Sequence, residues 1–154
     1  MTESCANQHR KRFEIFIDFL IEKDIKYIIM RGYDKLPLFP NTDLDIAIES
    51  DRYQEVLSFL SEQEDFSTDE PHQSFLINNI ECCYNPYFTD FKKCSEIPNG
   101  SFRLDLYNHF FFFAKRYVLP KEIEEDIFKT STLYKNRYSV ASPCWDSLLL
   151  IYHS

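Results

Sequence analysis

Apolar residues recur at Phe13, Phe16, Ile17, Leu20 and Ile21, intervals of three and four that predict an amphipathic helix over roughly 8–23. "KYIIM" at 26–30 is nearly continuous in apolar residues and reads as a buried strand. Gly32 stops that strand, and Pro37 and Pro40 keep the following loop irregular. "DLDIAI" at 43–48 alternates with period two and predicts a second strand. Ser50 or Asp51 then caps a helix whose apolar face is Tyr53, Val56, Leu57 and Leu60. The first sixty residues therefore read helix, strand, loop, strand, helix.

Further along, 74–79 and 80–85 read as paired strands that turn at Asn78 and Asn79. The stretch 89–101 is polar and ends in a Pro-Asn-Gly turn signal. In "FRLDLYNHFFFF" at 102–113, Phe102, Leu104 and Leu106 alternate with Arg103, Asp105 and Tyr107, a strand with Asp105 on its polar face. Pro120 opens a helix that carries Glu122, Glu124 and Glu125 in its first turn, where the helix dipole favours acids. A last helix begins near Pro143, with Trp145, Leu148, Leu149 and Tyr152 along one face. No repeat, heptad array or linker interrupts the chain, so residues 1–154 read as a single α+β domain, a mixed sheet flanked by helices.

Composition narrows the function classes. The hydrophobic fraction of 44% and aromatic content of 17% belong to a folded globular chain. No apolar run is long enough to span a bilayer, and no signal peptide is evident, so a cytoplasmic protein without a membrane partner is expected. The cysteines at 5, 82, 83, 94 and 144 lack a C-x-x-C pair and read as reduced thiols. Cys82 and Cys83, adjacent on a strand, point to opposite faces. A net charge of −8 argues against a basic track for nucleic acid, and "HRKR" at 9–12 reads as a solvated helix end. An acidic chain still binds polyphosphate when a divalent metal stands between the two.

Asp43 and Asp45, two apart on a strand, share a face at a spacing of about 6.5–7 Å. Two carboxylates there repel unless something positive lies between them. Asp105, flanked by leucines on its own strand, is the natural third member of a metal cage. Gly32 lets a ligand approach the main chain, and the Arg31 guanidinium offers a planar fork to phosphate oxygens.

The glycine after a strand, the acid-x-acid pair on the next strand and the third acid on a later one resemble the nucleotidyltransferase superfamily, the DNA polymerase beta-like fold. Within it, "RGYDKLPLFPNTDLDIAI" resembles the nucleotidyltransferase-like proteins that carry an RG…LP…D-x-D signature. The resemblance covers 13–128 in element order, and matches residue for residue in two short segments. It implies the α-β-loop-β-α core and transfer of a nucleoside monophosphate from a nucleoside triphosphate to an acceptor hydroxyl. It also implies that Asp43, Asp45 and Asp105 are the catalytic residues and hold Mg²⁺ or Mn²⁺. Arg31, Gly32, Tyr33, Lys35 and Thr42 would line the nucleotide site. Where the family places serine or glycine after the glycine, this chain has Tyr33, so either Arg31 and the backbone take over phosphate binding or the donor is held differently.

Two other classes stand beside this one: an inactive binding module that retains the fold, and a transferase of phosphosugar or phosphocholine from a nucleotide-activated donor. The acceptor is open among a sugar phosphate, an RNA end and a protein hydroxyl. In the enzymes resembled, helices after the sheet position the acceptor. A homo-oligomer or a longer parent protein is therefore expected to supply that surface, leaving an apolar patch at 145–152. The alternative is that the last helix folds back and closes the core. His9, His72, His109 and His153 share no metal spacing, although His109, four residues beyond Asp105, is close enough in sequence to reach a phosphate.

Overall fold

The computed structural model describes residues 4–36, 43–64, 66–68, 72–89, 103–112 and 116–153. The first predicted helix is α1 (Cys5–Glu22), which starts three residues before the expected position 8, where the Ser4 side chain caps it, accepting from the Asn7 amide at 3.3 Å. The two predicted strands are β1 (Tyr27–Arg31) and β2 (Leu44–Ile48). Neither Ser50 nor Asp51 caps the next helix through its side chain. A 3₁₀ turn over Ser50–Arg52 leads instead into α2 (Tyr53–Glu62), and Arg52 there pairs with Glu55 at 2.7 Å.

The middle of the chain forms a hairpin of β3 (Gln73–Ile77) and β4 (Ile80–Phe88). Asn78 and Asn79 both take positive φ, 51° and 64°, the backbone of a two-residue turn whose twist suits the strands. The alternating run near 105 is β5 (Arg103–Tyr107), shorter than its sequence pattern. The phenylalanines beyond it enter a separate ribbon, β6 (Phe111–Phe112) with β7 (Tyr117–Val118). The rest of the polar run 90–101 and Phe113 lie outside the described residues. After α3 (Lys121–Lys129) comes a hairpin that the pattern did not predict, β8 (Thr132–Tyr134) with β9 (Tyr138–Val140), before α4 (Pro143–His153).

The five longer strands make one mixed sheet in the order β1-β2-β5-β4-β3. Only the β2–β5 pair is parallel; the other neighbours are antiparallel. One face packs on α1 and α2, with Phe13, Phe16, Ile17 and Leu20 against Ile29, Leu44, Ile46, Ile48, Leu104 and Leu106. The opposite face, from Ile28 through Ala47 and Tyr107 to Cys82 and Tyr84, is covered in part by Ile127 of α3, Leu149 of α4 and the β6–β7 ribbon. Cys82 and Cys83 fall on opposite sides, as strand alternation requires.

Leu44, Ile46 and Ile48 are fully buried, each contributing about 1.5–3 kcal/mol. Their burial fixes the register of β2: a slip of one residue would drive the aspartates into the α1–α2 core. Residue parity alone therefore directs Asp45 to the other face.

The last helix folds back. Leu149 is buried and Trp145 half-buried, its indole N–H donating to Asp126 at 2.8 Å, while Leu150 stays exposed. The apolar patch expected at 145–152 is thus largely closed for the side chains up to 149, and that of Tyr152 lies outside the description. "HRKR" is not a helix end. It lies within α1, and His9 turns inward to bond Thr89. No described helix is long and apolar enough to cross a membrane.

Candidate active site

Because β2 and β5 run parallel, Asp45 stands directly opposite Asp105 on the neighbouring strand. Both are buried, at 2% and 6% exposure. Asp43 lies just before β2 at the same parity, and is half-buried. Asp43 and Asp105 meet the same side chain: Arg103 Nε is 2.6 Å from Asp105 Oδ1 and 4.0 Å from Asp43 Oδ2. The three aspartates predicted from the sequence therefore share one face and one neighbourhood.

Arg31 reaches that neighbourhood through an irregularity. Strict alternation would place it with Tyr27 and Ile29 against α1. The register slips between Ile29 and Arg31, so that Ile29 pairs with Ile46 and Arg31 with Asp45, leaving Met30 as the extra residue of a bulge. Met30 packs on the second face with Ile28 and Ala47, and Arg31 Nε comes to 3.0 Å from Asp45 Oδ2. The N–H is not aimed at that oxygen, which is buried without a hydrogen-bond partner.

Gly32 follows with φ 89° and ψ 0°, a left-handed conformation that costs a Cβ-bearing residue about 1–2 kcal/mol. It opens a single 3₁₀ turn over Tyr33–Lys35. Tyr33 is engaged elsewhere: its hydroxyl donates to Asp146 of α4 at 3.1 Å, and its ring packs edge-on against Tyr134. Burial, aided by the Asp146 charge, pushes that phenol up to about 12. Tyr33 thus ties the loop to α4. Lys35 is the last residue of the turn, which the Leu36 amide closes by donating to the Tyr33 carbonyl at 3.0 Å, and Thr42 lies outside the described residues.

Three residues missed by the sequence reading complete the site. Tyr84 of β4 donates to Asp105 Oδ1 at 2.7 Å, and Arg103 Nη2 donates to the Tyr84 hydroxyl. The Arg103 guanidinium also lies over the Phe88 ring, 5.7 Å from its centroid. Tyr107, two residues beyond Asp105 on the same face, brings its hydroxyl to 3.5 Å from Asp45 Oδ1, the outer limit of a hydrogen bond. The alternation Arg103-Leu104-Asp105 was a readable signal, since residues two apart share a face; Tyr84 is set by β4–β5 pairing and left no local trace.

Burial raises the carboxyl of Asp45 above the usual range; the Arg31 charge opposes the shift and Asp43 adds to it. Asp105 is likewise raised by burial, against hydrogen bonds from Tyr84 and Arg103 that favour its charged form. The positive charge that such a pair requires is here supplied by guanidinium groups. Among the described residues, no three His, Cys, Asp or Glu side chains are placed to hold a metal ion. The chemistry of the donor set nonetheless fits a hard divalent cation: all-oxygen ligands, two of them buried, one with an unsatisfied lone-pair atom.

His109 lies apart from this cluster. It follows the far end of β5, with Nδ1 2.9 Å from Oε1 of the buried Glu124. The pair borders a cavity of about 690 Å³ shared with Lys26, Glu49 and Phe128, and none of the three aspartates lines it. Against family models, curated proteins and solved structures, nothing matches this chain.

Proposed function

We propose that the chain is a metal-dependent nucleotidyltransferase that moves a nucleoside monophosphate from a nucleoside triphosphate to an acceptor hydroxyl. The observation that carries this reading is the in-register pair Asp45–Asp105 on parallel strands, with Asp43 two residues ahead on the same face. Burying carboxylates at the centre of a sheet costs stability even when guanidinium groups stand beside them, and their gathering on one face supports a chemical role.

Asp43, Asp45 and Asp105 would hold Mg²⁺ or Mn²⁺, which when bound neutralises phosphate charge and acidifies an acceptor hydroxyl. Arg31, with about half its side chain exposed, offers a guanidinium to the phosphate oxygens. Gly32 leaves the main chain beside it open to close approach. In the transfer, the acceptor oxygen bonds to the α-phosphorus as the bond to pyrophosphate breaks, and the hydroxyl proton passes to an adjacent carboxylate, Asp105.

The test is incubation with each nucleoside triphosphate labelled at the α-phosphorus, Mg²⁺ and separated RNA, protein and small-molecule fractions. Label should enter one fraction, only with metal, and not with Asp45→Asn. No transfer from any of the triphosphates would contradict the reading, and in a parallel incubation with CDP-linked donors labelled in the transferred group, transfer from those alone would move it to a phosphosugar or phosphocholine transferase.

One observation favours a second reading. Arg31 and Arg103 already neutralise the carboxylates, as in a module that keeps the fold and binds a partner without chemistry.

A further inference from the structure

We propose that Arg103 is the resident counter-charge of the carboxylate site: it occupies the place of the divalent cation and has to swing away before an ion binds. The inference rests on the metal-binding reading of the three aspartates and adds the residue that controls loading.

Arg103 is held at the site by two partners. Nε sits 2.6 Å from Asp105 Oδ1, and Nη2 donates to the Tyr84 hydroxyl, itself bonded to the same Asp105 oxygen at 2.7 Å. Its charge also reaches Asp43 at 4.0 Å, so one guanidinium bridges carboxylates of two strands. Arg31 is held less firmly. Its side chain is twice as exposed, 54% against 27%, and its contact with Asp45 lacks hydrogen-bond geometry. A cation entering between Asp43 and Asp105 meets Arg103 first.

Two like charges cannot share that space, so each displaces the other. The Arg103 guanidinium lies over the Phe88 ring with its side chain 27% exposed, so a guanidinium swung outward keeps its charge at the rim. An anionic phosphate drawn to that charge would favour the released state and hence the ion. Metal and triphosphate therefore load with positive coupling.

The experiment is titration of Mn²⁺ alone, followed by electron paramagnetic resonance of the free ion, into wild type, Arg103→Met and Tyr84→Phe. Arg103→Met should bind Mn²⁺ about tenfold more tightly, because its competing charge is gone while the aliphatic stem remains. Tyr84→Phe keeps the charge, frees one of its tethers and should fall between the two. Circular dichroism checks that each variant is folded, and Tyr84→Phe carries the test if Arg103→Met is not. Equal or weaker binding in both variants, with measurable binding in wild type, overturns the role of Arg103 and leaves the carboxylate site standing. No Mn²⁺ binding in any of the proteins overturns both.

Discussion

Asp45 and Asp105 face one another in register across two parallel strands, both buried, and each meets a different guanidinium. Asp45 has Arg31, delivered by a bulge in β1, and Asp105 has Arg103 from its own strand. The pair concentrates negative charge where a surrounding apolar sheet disfavours it. Removing charge and removing shape at this point are therefore separable.

Asp45→Asn should keep the fold and raise thermal stability by about 0.5–2 kcal/mol at neutral pH. The pH dependence carries the sign. Burial lifts the folded carboxyl of Asp45 above its unfolded value, so the ionised group subtracts stability at pH above its folded pKa. That penalty fades as pH falls through the folded pKa toward the unfolded one. The advantage of Asp45→Asn over wild type, read from thermal melts, should shrink as the pH falls from neutral toward the ordinary carboxylate range. An advantage that grows on acidification would show that the carboxylate is stabilised where it lies.

Gly32→Ala should lower stability by about 1–2 kcal/mol, the strain of a Cβ in the left-handed region. If the turn also cradles phosphates, the same variant binds Mg²⁺-triphosphate more weakly at a temperature where it is fully folded. A lower melting temperature with an unchanged Kd would make Gly32 a turn residue alone.

Thiol reactivity should follow burial. Burial lifts the Cys82 thiol to about 11, so at pH 8 it is both protonated and inaccessible, whereas Cys144 is exposed on α4. Alkylation followed by mass spectrometry should label Cys144 early and Cys82 only on unfolding. Equal rates would mean that the face of the sheet beneath Cys82 opens to solvent.

Much of this was legible in the chain. The period of three and four located α1 and α2, alternation located β2 and β5, and parity put Asp43 and Asp45 on one face, which Asp105 joins through the β2–β5 pairing. What stayed hidden depends on pairing between distant segments. The slip at Met30 re-aims Arg31, and no local pattern marks it. Tyr84 reaches Asp105 only because β4 lies beside β5. Tyr33 read as a nucleotide contact beside Gly32, yet its hydroxyl is drawn to Asp146, 113 positions away on α4. The hairpin β8–β9 escaped because its strands are three residues each, too short to show a period; it turns at Lys135 and Asn136, both at positive φ. Arg137 then ties it to Glu14 and Asp18 of α1.

The claim on which everything else depends is that the three aspartates form one site for a divalent cation and a nucleotide. Calorimetric titration of a non-hydrolysable nucleoside triphosphate, with and without Mn²⁺, into wild type and Asp105→Asn tests it most directly. The account predicts saturable binding by wild type that requires the metal and disappears in a folded Asp105→Asn. Metal-independent binding, or the same isotherm in both proteins, would contradict it.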